Sequence, residues 1–245
     1  MLSNPLTVEL ARKFRNVFVG PDWNGFHRDK VYRALMQEVL EALPVTSFVE
    51  TGTWRGDSTQ TIAMRHPKLA IFTSEVVEKS FNLARAALKK YPNITQDLGS
   101  SDEFIARLIA GKRTGDLPFF FLDAHWHTYW PLRAELKHIS EARLRSVMVI
   151  DDFEVPGQPQ FGYDIDGGGE LKEGLRCNLD YIRPSLGAAN SYRILFPKYA
   201  HADAYPQGSG LELRGHIALF QNLDSEFESF RQRPLIQQHY FVAGL

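Results

Sequence analysis

Six carboxylates stand at the ends of short apolar runs in this chain: Glu50 in "TSFVETGTWRGDS", Glu75 in "AIFTSEV", Asp97 in "NITQD", Asp123 in "PFFFLD", and Asp151 and Asp152 in "SVMVIDD". Acids crowded at one rim repel each other unless a ligand or a cation occupies the space between them. Asp123, Asp151 and Asp152 end runs that read as neighbouring parallel strands, about 4.8 Å apart, so three carboxylates can converge on one hard cation. Magnesium is the expected ion, because it prefers oxygen ligands and keeps waters that a substrate diol can replace. The alternative is that Asp151 and Asp152 cap a loop while Asp123 accepts from backbone amides. His125 and His127 share one side of an extended segment with Asp123, and an imidazole that titrates near neutrality is a candidate general base. His125 is the preferred one; the bland reading for both is hydrogen bonding in a tight turn beside Trp126. His201 and His216 read as structural.

The turn after Glu50 holds two glycines four apart, Gly52 and Gly56, followed by Asp57 and Ser58, which could cap a helix. A dinucleotide site needs G-x-G-x-x-G so that a pyrophosphate can reach the backbone and a helix N-terminus. The middle glycine is missing, and Glu50 would repel a phosphate, so the turn suits a ligand with a cationic group. Glu75, 25 residues further on, is placed to accept both hydroxyls of a ribose. In "DLGSSDEF" the spacing of Ser100 and Glu103 is that of a capping box, with a plain helix start and an adenine contact both open.

The elements that must position these residues alternate. Helical patterns cover residues 7 to 18 and 29 to 43, the second with Val31, Leu35, Val39 and Leu40 on one face and ended by Pro44. Five strand-helix units follow, and several of the strands are continuous apolar runs, as expected of a parallel sheet covered on both faces. Ligands bind such sheets at the carboxyl ends of the strands. The Gly/Pro-rich stretch 154 to 169 reads as a loop and lid candidate, residues 171 to 182 as a helix, and "YRILF" and "GHIALF" as two last strands paired antiparallel at the sheet edge. The sum is a doubly wound, mostly parallel seven-stranded α/β sheet with an antiparallel last strand and N-terminal helices. Residues 1 to 44 form the helical segment, 45 to 222 the α/β domain and 223 to 245 a tail whose aromatics pack on the domain or a partner.

The chain's 245 residues are 44% hydrophobic, and 28 basic against 29 acidic side chains give a net charge of -1. That balance gives no field to draw in nucleic acid or an anionic membrane, so neither is expected as a partner. One cysteine, Cys177, cannot make an internal disulfide. With no signal-like N-terminus, and no apolar run of the roughly 18 residues that span a bilayer, the expected address is cytoplasmic.

With these motifs in linked order, the chain resembles the class I S-adenosylmethionine-dependent methyltransferases over roughly residues 45 to 222. "FVETGTWRGDS" resembles their first motif, "FTSEV" their second and "QDLGSS" their adenine-side motif. "FFFLDAHWHTYWPLRAEL" and "VMVIDDFEVPG" are similar to a bacterial branch of metal-dependent O-methyltransferases of natural-product sugars, the macrocin O-methyltransferase-like branch, with a cephalosporin-modifying relative. The His-Thr-Tyr of this chain stands one residue further from the aspartate than in their Asp-x-x-His pattern. The resemblance implies a Rossmann-like methyltransferase fold. It implies S-adenosylmethionine held by Glu50, Gly52, Thr53, Trp54, Gly56, Ser58, Glu75, Ser100, Ser101 and Asp123, with Glu50 near the ammonium group. Catalysis would fall to His125, His127 and Asp123, and metal binding to Asp123, Asp151 and Asp152. The implied reaction is O-methylation of a small-molecule acceptor. A metal-dependent hydrolytic or oxidative enzyme on the same scaffold and a non-catalytic binding protein are the alternatives, and a homodimer and a self-packed monomer are both open.

Overall fold

Burial dictates the sheet. The runs Ser47–Thr51 (β1), Pro118–Leu122 (β4) and Ser146–Ile150 (β5) are buried at every residue, which only a sheet covered on both faces allows. The computed structural model describes residues 24–125, 129–166 and 175–244. Its helices are Lys30–Ala42 (α1), Asp57–Arg65 (α2), Glu78–Leu88 (α3), Ser101–Ala110 (α4), Leu132–Glu141 (α5), Leu179–Ile182 (α6), His201–Ala204 (α7), Asp224–Phe230 (α8) and Pro234–His239 (α9). The remaining strands are Ala70–Glu75 (β2), Ile94–Leu98 (β3), Ile165–Asp166 (β6), Leu175–Arg176 (β7), Tyr192–Pro197 (β8), Ile217–Gln221 (β9) and Tyr240–Ala243 (β10). The expected helix over residues 7 to 18 lies outside the described residues.

The main sheet has eight strands in the order β10-β8-β9-β5-β4-β1-β2-β3. The five βα strands are parallel, while β9 inserts between β5 and β8 and runs antiparallel to both. The fold class expected from sequence is therefore present, with two corrections. The count of seven omits β10, because a four-residue strand carries too little alternation to stand out in an aromatic tail. It pairs antiparallel with β8 and makes the edge. Residues 175–176 are also not helical: Leu175 and Arg176 pair with Asp166 and Ile165, and helix begins only at Leu179 behind an Asn178 cap that accepts from Tyr181 N.

Two local caps differ as well. Gly56, with φ of 79°, precedes α2 in place of an Asp57 or Ser58 cap. Ser100 donates to the Asp102 carboxylate instead of forming the capping box. The tail packs on its own domain, with Phe227, Phe230 and Tyr240 buried. Cys177 is a free, buried thiol. Among the described residues no helix is long and apolar enough to cross a membrane.

The core reaches the site through β4. Phe121 is fully buried, with its ring 5.2 Å edge-on from Phe26 and in contact with Tyr32 and Phe48. Phe26 opens a turn in which three successive residues, Phe26, His27 and Arg28, have φ of 52°, 53° and 66°. Left-handed backbone costs an L-residue roughly 1–2 kcal/mol each, so the turn persists only because both its ends are fixed. Phe26 is anchored in the core on one side. On the other, buried Asp29 accepts from Val31 N (2.8 Å), Tyr32 N (2.9 Å) and the Tyr199 hydroxyl (2.7 Å). Phe121→Ala should lower stability by about 3–5 kcal/mol in urea denaturation, and should also free the turn, seen as faster amide exchange at residues 26–29. Loss of stability with unchanged exchange there would show that the turn does not depend on this contact.

Candidate functional site

Strand register brings the acids together. Leu122 and Ile150 are paired across β4 and β5, and the ladder continues beyond them: Asp151 N donates to Leu122 O (3.1 Å) and Asp123 N to Thr51 O (3.2 Å). Asp123 and Asp151 therefore leave neighbouring strands side by side. Asp152 follows with φ of 49°, and its carboxylate accepts from Arg214, which also donates to Asp164 Oδ1 at 2.5 Å.

The group that sequence reasoning missed is His27. Its Nε2 lies 2.8 Å from Asp151 Oδ2 and 3.6 Å from Asp152 Oδ1, reached from a residue 124 positions away. The only local hint is "FHRD", a histidine beside a helix-capping aspartate, and nothing in that pattern names its distant partner. Burial alone would lower the His27 pKa, but the Asp151 carboxylate and then Asp152 outweigh it and hold it up at about 9. His27 returns the favour: burial would raise Asp151, yet the imidazolium keeps its carboxyl below the usual range. Asp123 has no such partner, and burial together with Asp151 and Asp152 pushes its carboxyl well above that range. Asp152 is raised by burial and Asp151, with Arg214 opposing. Four carboxylates thus face two cationic side chains, and among the described residues buried Asp151 Oδ1 has no neighbour to bond but the Tyr32 hydroxyl.

Beside this cluster a cavity of about 380 Å³ opens at the carboxyl ends of the strands, lined by Gly52, Trp54, Ser74, Glu75, Gly99, Ser101, Asp123, His125, Asp152 and His27, among others. Its size is within the range of small-molecule sites, roughly 300–1,000 Å³. Seven of the sequence-selected residues line it: Gly52, Trp54, Glu75, Ser101, Asp123, His125 and Asp152. The Glu75 carboxylate accepts from Trp54 N and Val77 N, both at 2.8 Å, which fixes its orientation in the wall. The Ser74 hydroxyl is buried with no partner among the described residues, while that of Ser101 faces the buried Glu135 carboxyl, so polar capacity on that wall is left for a ligand. His125 is exposed, with Nε2 3.6 Å from Asp164 Oδ2; His127 lies outside the described residues.

Other candidates sit away from the cavity wall. Glu50 is buried and accepts from the Thr59 and Thr73 hydroxyls; burial pushes it up to about 7, with those two bonds opposing. The Thr53 hydroxyl meets that of Thr73 and donates to Ser74 O. Gly56, Ser58, Ser100 and Asp151 are likewise absent from the lining, and Asp97 pairs with Arg107 at 2.6 Å. The glycines make room first for the protein itself. A Cβ on Gly52 would stand 2.7 Å from Asp123 O, and one on Gly56 would stand 2.8 Å from the Leu88 side chain. Trp130 stacks on Tyr181, while His216 is neutral in the core, lowered to about 3 by burial and stacked 3.7 Å from Tyr32. His201 bonds Leu211 O. Both of these histidines are structural, as read from sequence.

The residues present fit both a divalent cation, for which the buried Asp151 Oδ1, beside only the Tyr32 hydroxyl among the described residues, has acceptor capacity left, and a polar ligand facing Ser74, Ser101 and Glu75. No family model matches the chain, and no curated protein matches it in sequence. Among solved structures, an O-methyltransferase from Bacillus cereus in complex with SAH is 16% identical, with 90% of this chain and 93% of that chain covered and a TM-score of 0.51. Cofactor-bound Rv0187 from MTB is 16% identical over 91% and 99% of the two chains, at a TM-score of 0.47. EvdMO1 is 16% identical over 94% of this chain and 52% of that chain, at 0.49, so the chain spans about half of its length. The likeness to the first of these, together with the strand order above, gives the chain a Rossmann-like α/β fold.

The His27 ion pair has a defined pH signature. A histidine raised in the fold contributes stability that is complete below its unfolded value, near 6.5, and is lost as pH rises through about 9. At roughly 1.4 kcal/mol per tenfold change in proton affinity the contribution is at most about 3.5 kcal/mol. In chelator, wild-type stability should fall between these limits relative to His27→Gln. Parallel urea-denaturation curves from pH 6 to 9.5 would contradict the pairing.

Proposed function

We propose that the protein transfers a methyl group from S-adenosylmethionine to a hydroxyl of a small molecule, a sugar, polyol or other natural-product unit, with a magnesium ion held by Asp123, Asp151 and Asp152. The observation that carries this reading is that one cavity joins two chemically different walls. Glu75 and the Ser74 and Ser101 hydroxyls suit a ribose and adenine, while Asp123, Asp152 and His125 suit the acceptor. The chemistry supplied by the bound groups is an electrophilic methyl on a sulfonium from the cofactor and Lewis acidity toward a hydroxyl oxygen from magnesium.

The chain's own work is placement and proton handling. Transfer from a sulfonium needs alignment more than covalent help. Each Glu75 oxygen accepts one backbone amide and keeps a lone pair for a ribose hydroxyl. Glu50 lies behind the wall; its charge, present above about pH 7, favours a cationic group in the cavity without touching it. His125, exposed at the cavity, is placed to take the acceptor's hydroxyl proton at an imidazole nitrogen. The same assignments leave His127 as the second candidate base.

Calorimetric titration with S-adenosylhomocysteine should give micromolar-range binding, and Glu75→Ala should weaken it by about 10–100-fold, the loss of hydrogen bonds to a charged group. A nicotinamide dinucleotide should give no heat. Absence of S-adenosylhomocysteine binding in both magnesium and chelator would contradict the cofactor assignment, and would favour the hydrolytic, oxidative or scaffold readings of the same acids.

A further inference from the structure

We propose that His27 is itself a ligand of the cation at the strand ends, making the centre a His-Asp-Asp site selective for a first-row transition-metal ion such as manganese(II), iron(II) or cobalt(II) over magnesium. This rests on the metal reading above and goes beyond it, adding a nitrogen donor from a distant turn and changing the preferred ion.

Geometry comes first. One donor atom each from His27, Asp151 and Asp152 lies within 4.8 Å of the others. With metal-ligand distances of about 2.1 Å, adjacent donors of an octahedral site stand about 3 Å apart, and the His27 Nε2 separations of 2.8 and 3.6 Å bracket that value. The second observation is independent: Asp151 is only 5% exposed, yet among the described residues the buried Tyr32 hydroxyl is the one group beside its Oδ1, which leaves that oxygen with acceptor capacity to spare. A void of about 10 Å³ adjoins it, lined by Asp123, Asp151, Asp152 and Asp164 together with apolar residues such as Leu122 and Ile150 but not by His27; it is close to the volume that holds one water-sized sphere.

Backbone geometry points the same way. Three consecutive left-handed residues are an expensive way to start a helix, and Asp29 would cap α1 equally well after an ordinary turn. What the left-handed turn achieves is to bring the His27 ring over the ends of β4 and β5. Strain that surrounding contacts hold in place is a pointer to a site. Phe26 in the core, and the Tyr205 hydroxyl on His27 O at 3.3 Å, hold it here.

Chemistry then selects the ion. The carboxylates that attract a proton to His27 attract a divalent cation more strongly, so the ion displaces the proton and gains a neutral imidazole. Carboxylate and water suit magnesium and manganese alike, whereas imidazole favours the later first-row ions. Arg214 remains the counter-ion of Asp152 and Asp164.

The test uses the full chain stripped of metal, titrated with manganese(II) and magnesium(II), in wild type and His27→Ala, with thermal melts to confirm folding. Manganese should bind wild type more tightly than magnesium, and His27→Ala should weaken manganese by roughly tenfold or more while changing magnesium little. Pulsed electron paramagnetic resonance of manganese-loaded wild type should show nitrogen coupling that is lost in the variant; this readout does not depend on activity, and its wild-type half stands even if the variant folds poorly. An unchanged manganese-to-magnesium ratio, or bound manganese without nitrogen coupling, would overturn the role of His27 and leave the Asp123, Asp151 and Asp152 site standing. No binding of either ion to wild type would overturn both, while S-adenosylhomocysteine affinity, measured in chelator, tests the cofactor reading apart from the metal.

Discussion

Carboxylates buried within a few ångströms of one another must be neutralised, and that requirement shapes the carboxyl edge of this sheet. The register of β4 and β5 forces Asp123 and Asp151 side by side, and Asp152 and Asp164 add to the same charge. A sheet could end in fewer acids at no structural loss. That it ends in these, with His27 and Arg214 brought in from distant segments to face them, ties the N-terminal turn, the strand ends and the loop before β9 into one electrostatic unit.

The cavity for a ligand lies beside that unit and shares its wall. Glu75, Ser74 and Ser101 line one part of the space, and Asp123, Asp152 and His27 the other. In a methyl transfer the two reacting centres have to meet in line, and a single open cavity with a proposed sugar-binding wall beside a proposed cation-binding wall is an economical way to arrange that. The glycines of the first turn serve this indirectly. Gly52 lets the chain pass against the Asp123 carbonyl, so the turn that borders the cavity and the strand that carries the acid are packed in contact.

Much of the fold was legible because parallel strands buried on both faces leave an unambiguous trace: "PFFFLD" and "VMVIDD" have no polar residue before their terminal acids. Ligand placement followed from the same trace, since strand ends mark the site. What stayed hidden depends on long-range pairing or on short elements. Leu175 and Arg176 look helical until Ile165 and Asp166 are found beside them, and β10 is four residues in an aromatic tail. Glu50 reads as a ligand contact because its burial under Thr59 and Thr73 cannot be seen from spacing. His27 is the clearest case: its partner is 124 residues away, and the left-handed turn that aims it is built from Phe26, His27 and Arg28, none of which favours that backbone.

The most direct test of the shared rim is a crystal structure of the protein grown with S-adenosylhomocysteine and manganese(II), with anomalous scattering locating both sulfur and metal. The expected result is the sulfur in the cavity lined by Gly52, Glu75 and Ser101, and manganese within about 2.1 Å of carboxylate oxygens of the Asp123, Asp151 and Asp152 group. Sulfur density elsewhere, or acids still paired only with His27 and Arg214 and no anomalous peak among them, would contradict it.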